Sequence, residues 1–304
     1  MRLADPAYIA LDVLVDAAKT ITKRHYGNTL SMCAIHAASL GRCGGDCAFC
    51  AQSARHDCGI QYKSVEDNDP DAIIGRAQKL RALGVLRFGL ITSGECLGDA
   101  EFEHILSIFR RMRAETNLRL CASLGRLTAA RARQLAECGV TRYHHNIETA
   151  QSFFPNICST HSYEDRLQTI RAARDAGMEI CCGGIISMGE SPAQRIEMAY
   201  AIRELRADSV PINILNPIAG TRLEAQPILG VEEILRTIAL FRLILPDATL
   251  SFAGGRQNAM RESEYRGYDA GINALMAGDF LTTEGRALQQ EIENLAARGY
   301  SVCA

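Results

Sequence analysis

Hydrophobic and polar positions alternate along the chain between two kinds of segment. Short, largely apolar runs predict strands, and they lie at 30–36, 87–92, 118–123, 141–146, 179–184, 209–215, 248–252 and 272–276. Longer segments with helical periodicity separate most of them, at 70–83, 101–113, 128–138, 163–176, 192–205 and 231–244. Eight strands alternating with helices predict an α/β fold, a parallel (β/α)₈ barrel of the TIM type with its helices outside.

Residues at the predicted helix boundaries support this pattern. Glycines stand where a C′ residue would end a helix, at Gly84, Gly139 and Gly177. Side chains that can cap a helix stand before three helix starts, at Asp69, Thr128 and Ser191. A doubly wound open sheet is the alternative fold, but it is weakened because no G-x-G-x-x-G turn follows the first strand. In a barrel, catalytic residues are expected at the carboxyl ends of the strands.

Length and charge narrow the class of protein. The 304 residues suit one barrel domain over 1–304, with an N-terminal helical extension at 1–28 and a C-terminal helical segment at 278–304. The N-terminus is interrupted by acidic residues, unlike a signal peptide. No apolar run approaches the roughly 20 residues of a membrane span. The formal net charge of −2 gives no long-range attraction to nucleic acid or to an anionic membrane, so we expect neither as a partner. With the N-terminus and the missing span, this predicts a cytoplasmic protein.

The chain contains twelve cysteines, at positions 33, 43, 47, 50, 58, 96, 121, 138, 158, 181, 182 and 303. In a large cytoplasmic protein thiols stay reduced, so metal binding or redox chemistry explains them better than a disulfide framework. Several of them can equally be small buried hydrophobic side chains.

Three of these cysteines lie on one loop directly after the first strand. Cys43, Cys47 and Cys50 have the spacing C-x₃-C-x₂-C. Three thiolates can bind three corners of a four-iron, four-sulfur cluster and leave the fourth iron open. An open metal position is what a catalytic site needs. The alternative is a zinc site, for which Cys58 or His56 could supply the fourth ligand.

This loop resembles the cluster loop of the radical S-adenosylmethionine (SAM) superfamily. Further segments, at 47–53, 143–149, 181–190, 210–213 and 281–283, resemble the biotin synthase family in their order and spacing. The resemblance implies that SAM binds the open iron and is cleaved to methionine and a 5′-deoxyadenosyl radical. It also implies that the radical abstracts hydrogen from dethiobiotin, and that sulfur from an auxiliary iron–sulfur cluster closes the ring of biotin.

The resemblance assigns roles to individual residues. Those matched to SAM binding are Phe49, Ser93, Gly94, Glu95, Glu148 and Arg166. Those matched to dethiobiotin are Asn146 and Asn213, for the ureido ring, and Thr282 and Thr283, for the carboxylate. An amide side chain suits the ureido ring because it offers both a donor and an acceptor. Glu148 departs from the family's more usual Asp, which keeps the carboxylate but lengthens its reach.

The sequence departs further from the family at the auxiliary cluster, which in its best-known form has three cysteine ligands and one arginine. Two of those cysteines match, at Cys121 and Cys181. The third position is Gly89, and the arginine position falls at Leu250 or Ser251. The usual ligand set is therefore incomplete.

Other cysteines in the same region suggest a replacement. We hypothesise that Cys121, Cys158 and Cys181, with Cys33 as a further candidate, hold a differently built auxiliary cluster. The neighbouring residues His144 and His145 are expected to point to opposite faces of their strand, so that at most one faces the barrel interior.

The resemblance also predicts which molecules the protein interacts with. It implies a one-electron donor such as flavodoxin or ferredoxin, and a homodimer. Two alternative functions stay open. One is a related enzyme of the maturase or methylornithine synthase branch that makes a radical but inserts no sulfur, and the other is a non-catalytic iron–sulfur or zinc protein.

Overall fold

The computed structural model describes residue 5 and residues 7–278 and 286–303, and the statements below refer to these. The strands are β1 (Thr29–Ala37), β2 (Arg87–Ile91), β3 (Arg119–Ser123), β4 (Val140–His144), β5 (Glu179–Cys181), β6 (Gly184–Ile186), β7 (Ser209–Ile214), β8 (Thr249–Phe252), β9 (Ala274–Ala277) and β10 (Ser301–Val302). The helices are α1 (Leu11–Tyr26), α2 (Pro70–Ala82), α3 (Asp99–Glu115), α4 (Ala129–Glu137), α5 (Tyr163–Asp175), α6 (Pro192–Glu204), α7 (Val231–Ile244), α8 (Arg256–Met260), α9 (Arg266–Asp269) and α10 (Leu288–Ala296).

The strands form a closed parallel barrel, as predicted. Their order is β1-β2-β3-β4-β5-β7-β8-β9, and β9 pairs with β1 to close the sheet. Large apolar side chains such as Phe88, Phe109, Phe241 and Phe252 are fully buried in the hydrophobic core. The carboxyl ends of the strands are thereby gathered at one end of the barrel, where the active site of this fold is expected.

One predicted strand is divided in the structure. Within the predicted strand at 179–184, β5 ends at Cys181 and β6 begins at Gly184, and the two pair with β7 on either side of Pro211. Proline has no N–H to donate to a neighbouring strand, so the ladder is interrupted there. The backbones also approach closely, since a Cβ on Gly183 would lie 2.0 Å from the Pro211 carbonyl oxygen.

The predicted helix caps are confirmed. The side chain of Asp69 accepts a hydrogen bond from the backbone N–H of Asp71, Thr128 from that of Arg131, and Ser191 from that of Gln194. The three predicted C′ glycines have positive φ angles of 83° to 94°. These local signals explain why the predicted helix boundaries agree with the structure to within about two residues.

The terminal segments lie against the outside of the barrel. Helix α1 packs along α7, where Leu14, Ala18, Ala239 and Leu240 form a small second core. Near the C-terminus, the short strand β10 pairs with β1 through Thr29 and Ser301. The described residues include no helix long and apolar enough to cross a membrane.

Candidate active site

The three-cysteine loop after β1 is held in a tight conformation by backbone hydrogen bonds. Cys43 N–H donates to the Gln52 carbonyl oxygen at 3.0 Å, and Ala54 N–H donates to the Cys43 carbonyl oxygen at 2.8 Å. Cys50 N–H donates to the Cys47 carbonyl oxygen at 2.9 Å. All three cysteines are free thiols. Burial raises the pKa of Cys50 to about 11.

A cavity of about 190 Å³ lies against this loop. It is lined by all three loop cysteines and by all the residues predicted to bind SAM: Phe49, Ser93, Gly94, Glu95, Glu148 and Arg166. These residues come from the cluster loop and from the segments that follow β2 and β4 and begin α5. The barrel therefore collects at one point residues that the sequence separates by more than a hundred positions.

Polar atoms around this cavity fit a bound cofactor. Gln52 Nε2, Thr92 Oγ1, His145 Nε2 and Arg166 Nε are buried and have no hydrogen-bond partner within the described part of the chain. Buried polar groups are normally paired, so four orphans on residues that line one cavity indicate a polar ligand. The three thiols and these donors and acceptors suit a four-iron, four-sulfur cluster with SAM.

Glu148 and Arg166 form an ion pair at the edge of this cavity. Arg166 Nη1 donates to Glu148 Oε1 at 3.2 Å and to the Asn146 carbonyl oxygen at 2.9 Å. Glu148 has a φ of 68°, which is unusual for a residue other than glycine, asparagine or aspartate. The strained backbone points to a site held in place for function.

A second, larger cavity of about 390 Å³ lies in the barrel interior. Its lining includes Phe49 and Cys50 from the cluster loop, and also Cys33, Cys121 and Cys181 from β1, β3 and β5. Nearby cysteine charges contribute to the raised pKa of Cys121, about 12, after the main effect of burial. The structure thus brings together three of the four cysteines predicted for an auxiliary cluster.

The fourth of those cysteines is elsewhere, which corrects the predicted grouping. Cys158 Sγ lies 3.8 Å from Cys47 Sγ and 3.3 Å from Asp46 Oδ1, beside the first cluster loop. The physical reason is that the loop after β4 folds over the three-cysteine loop, with Ala48 N–H donating to the Ile157 carbonyl oxygen. Cys33 is therefore the residue that accompanies Cys121 and Cys181.

The structure also places the residues that stand where the family pattern has a third cysteine and an arginine. Gly89 lies next to Cys121 in the sheet, and a Cβ there would be 3.4 Å from the Cys121 Cβ. Of the two candidates for the arginine position, Ser251 lines the interior cavity, whereas Leu250 is fully buried in the hydrophobic core.

Two arginines give the interior cavity a positive charge. Arg87 Nη2 and Arg142 Nη2 lie 2.7 Å and 2.8 Å from the same oxygen, Glu179 Oε2. Two cations with one carboxylate leave a net charge of +1 on this group. Both arginines line the cavity with the three cysteines, so the site is suited to an anionic group.

His144 is a site residue that sequence reasoning missed. Its Nδ1 lies 3.3 Å from Cys181 Sγ, and it lines both cavities. Burial raises the pKa of Cys181, but His144 and Arg142 more than offset this, so the pKa is lowered overall. His145, which follows the end of β4, lines the first cavity but not the interior one, so the structure agrees with the expectation that at most one of the two faces the barrel interior. The place of His144 beside Cys181 follows from the register of β4 with β5, which the sequence alone does not reveal.

The two predicted substrate asparagines line the interior cavity. Asn146 Oδ1 accepts from Gly183 N–H, and Asn213 Oδ1 accepts from Gly254 N–H, each at 3.0 Å. Each amide keeps further hydrogen-bonding capacity for a ligand. Thr282 and Thr283 lie outside the described residues.

Comparison with known proteins agrees with this geometry. The family model of the radical SAM superfamily matches residues 39–202, more than half of the chain. That of the Biotin and Thiamin Synthesis associated domain matches residues 211–301.

Individual relatives are similar over nearly the whole chain. A biotin synthase of Heliobacterium modesticaldum is 50% identical over 289 residues, covering 95% of this chain and 88% of the relative. One of Carboxydothermus hydrogenoformans is 44% identical over 306 residues, covering 99% and 93%.

Solved structures resemble the fold. Methylornithine synthase has a TM-score of 0.81 at 18% identity, covering 97% of this chain and 89% of its own. The FeFe-hydrogenase maturase of Carboxydothermus hydrogenoformans has a TM-score of 0.79 at 16% identity, covering 96% and 72%. These low identities show only a shared barrel, whereas the relatives at 44–50% identity carry the family assignment. The chain belongs to the biotin synthase family of the radical SAM superfamily.

Proposed function

We propose that this protein converts dethiobiotin to biotin, with the inserted sulfur drawn from an auxiliary cluster on Cys33, Cys121 and Cys181. One observation carries the proposal. A single interior cavity is lined both by Phe49 and Cys50 of the radical-cluster loop and by that second set of three cysteines. A substrate there contacts the source of the radical and the source of sulfur without leaving the site.

The residues of this chain have separable tasks. When bound, the four-iron, four-sulfur cluster and SAM supply the radical that removes hydrogen from the substrate. Arg166 is positioned to bind the carboxylate of SAM, and Glu148 orients Arg166 through their ion pair. Asn146 and Asn213 present amide groups to the ureido ring. Apolar side chains of the cavity, such as Ile35 and Ile91, limit the access of water to a reactive radical.

The second set of cysteines is suited to a cluster by its number and surroundings. Three thiols on three strands face the same cavity, and the Arg87, Arg142 and Glu179 group contributes a net positive charge beside them. Positive charge stabilises thiolates, which are the form that binds iron. Cys33 on β1 compensates for the cysteine missing at Gly89, on the strand next to it.

The decisive experiment is anaerobic reconstitution with iron and sulfide, followed by SAM, a reductant and dethiobiotin. We expect 5′-deoxyadenosine and biotin, measured by mass spectrometry. If dethiobiotin neither stimulates 5′-deoxyadenosine formation nor yields biotin, whereas another substrate stimulates it, the protein is instead a radical enzyme without sulfur insertion. If SAM stays intact, the protein is non-catalytic.

Three further expectations belong to the same proposal: a flavodoxin or ferredoxin as electron donor, a homodimer, and a cytoplasmic location. Twelve free cysteines and an iron–sulfur cluster favour a reducing compartment. Replacing the chemical reductant with reduced flavodoxin tests the donor, and light scattering of the reconstituted protein tests the dimer. Cell fractionation tests the location.

A further inference from the structure

The loop after β4 is bound to the radical-cluster loop through one carboxylate. Asp46, which directly precedes Cys47, accepts four hydrogen bonds from two residues. They come from Ser159 N–H at 2.9 Å, Ser159 Oγ at 2.6 Å, Thr160 N–H at 3.1 Å and Thr160 Oγ1 at 3.0 Å. Arg222 adds a bridge, since its Nη2 donates to the carbonyl oxygens of both Asp46 and Ile157. This clamp holds Cys158 against Cys47.

The proton on His161 can be assigned from its neighbours. Arg166 Nη2 lies 3.0 Å from His161 Nε2. A guanidinium can only donate, so Nε2 must be the accepting, unprotonated nitrogen. Neutral His161 therefore carries its proton on Nδ1, which lies 3.3 Å from Cys158 Sγ. Cys158 sulfur thus accepts a hydrogen bond from His161.

The remaining question is where the Cys158 thiol proton points. Asp46 Oδ1 is within reach at 3.3 Å, but it already accepts from two N–H groups and one hydroxyl. Thr160 Oγ1 and His161 Nε2 lie 3.6 Å from Cys158 Sγ, but they already accept from Asp46 N–H and from Arg166. The remaining acceptor is Cys47 Sγ at 3.8 Å. A cysteine that binds iron has lost its own proton, so with the cluster in place only Cys158 can donate between these two sulfurs.

We propose that Arg166, His161 and Cys158 form a hydrogen-bond relay to the sulfur of Cys47, and that this relay raises the reduction potential of the radical cluster. The inference rests on the proposed function for the presence of that cluster. Hydrogen bonds to cluster sulfurs are one of the factors that set its potential, because they offset the negative charge gained on reduction. Cys158 and His161 are positioning residues, since they act on the cluster through Cys47.

A mononuclear metal site is the competing explanation. Ligand atoms of Cys47, Cys158 and His161 lie within 4.8 Å of one another, a spacing that also suits one zinc ion. The two explanations differ in metal content, since the relay needs no metal beyond the cluster.

The test compares the full-length protein carrying Cys158→Ala, Cys158→Ser or His161→Leu with unsubstituted protein. All carry Cys121→Ala and Cys181→Ala as well, so that the iron signals come from the radical cluster. The matched control is Cys138→Ala, because Cys138 and Cys158 are each 5% exposed and Cys138 lies at the end of α4. The midpoint potential is read from the electron paramagnetic resonance of the reduced cluster against applied potential, and metal content is measured beside it.

We expect Cys158→Ala to shift the midpoint to a more negative value. Cys158→Ser should lie closer to the unsubstituted protein because a hydroxyl can still donate, and His161→Leu should shift it less than Cys158→Ala does. A midpoint for Cys158→Ala equal to that of Cys138→Ala overturns the relay. The relay is also overturned if both Cys158 variants lose cluster iron. The same holds if the unsubstituted protein contains zinc that is absent from both Cys158 variants. If the native protein, with Cys121 and Cys181 in place, makes no biotin but the shift is present in the test series, the relay stands and the proposed function fails.

Discussion

The two cysteine groups of this protein are built in opposite ways. Cys43, Cys47 and Cys50 lie within eight residues on one loop, whose own backbone hydrogen bonds hold it. Cys33, Cys121 and Cys181 lie on three separate strands and meet only because the barrel closes. A loop motif must be kept whole to keep its geometry. Ligands from separate strands can be exchanged singly, and the proposed ligand set uses Cys33 where position 89 holds a glycine.

The surroundings of the two groups differ as well. The loop group meets Arg166 and the clamped residues around Cys158, all beyond the ends of the strands. The strand group lies beside Arg87 and Arg142, which line the interior cavity and share the carboxylate of Glu179. Each sulfur site has its own source of positive charge or hydrogen bonds, so substitutions should affect the two groups independently.

The largest expected effect comes from breaking the loop group. Cys50→Ala removes one of three cluster ligands, so 5′-deoxyadenosine formation from SAM should fall to background, and biotin formation with it. The measurement is anaerobic turnover with product quantification, and circular dichroism serves as the folding control. Retention of SAM cleavage in this variant would contradict the role assigned to the loop.

Removing a cysteine of the strand group should separate SAM cleavage from biotin formation. Cys121→Ala should abolish biotin formation and lower the bound iron, while 5′-deoxyadenosine continues to form. Cys182→Ala is the matched control, since Cys182 is a buried core cysteine next to Cys181 and should leave both products in place. Biotin formation at the unsubstituted rate by the Cys121→Ala protein would show that the second group is not the sulfur source.

Arg142→Leu tests whether the positive charge beside Cys33, Cys121 and Cys181 strengthens cluster binding there. Loss of this cation leaves Arg87 and Glu179 with no net charge, so the affinity of the second group for its cluster should fall about 10- to 100-fold. The iron retained after dilution with a chelator measures this. Arg133→Leu removes an exposed arginine of α4 and is the control. Equal iron retention in both variants would argue against a role for the buried charge.

The smallest expected effect concerns the substrate that both groups share. Asn213→Ala removes a neutral hydrogen-bonding side chain, so KM for dethiobiotin should rise about 3- to 10-fold, as expected for a hydrogen bond worth about 0.5–1.5 kcal/mol. The KM for SAM should stay the same. Asn117→Ala, at an exposed loop position, is the control, and an unchanged KM for dethiobiotin in the Asn213 variant would remove this residue from the substrate site.

Sequence reasoning succeeded where the signal is local. Hydrophobic periodicity and the caps at Asp69, Thr128 and Ser191 predicted the barrel, because a helix or a strand is decided largely by neighbouring residues. The divided strand at 179–184 was missed because the interruption comes from Pro211, on another strand. His144 was missed for a related reason, since its importance depends on the register that places it beside Cys181.

The cysteines show which features of the protein the sequence determines and which depend on the tertiary structure. By itself the sequence determined the fold class and the loop of three thiols, because both depend on short-range spacing along the chain. Only the tertiary structure decided which of the other nine cysteines meet. Cys33 joins Cys121 and Cys181 because β1, β3 and β5 face one cavity, whereas Cys158 joins Cys47 because Asp46 clamps its loop there. Distances between residues far apart in sequence are set by strand register and loop packing, which no local pattern records.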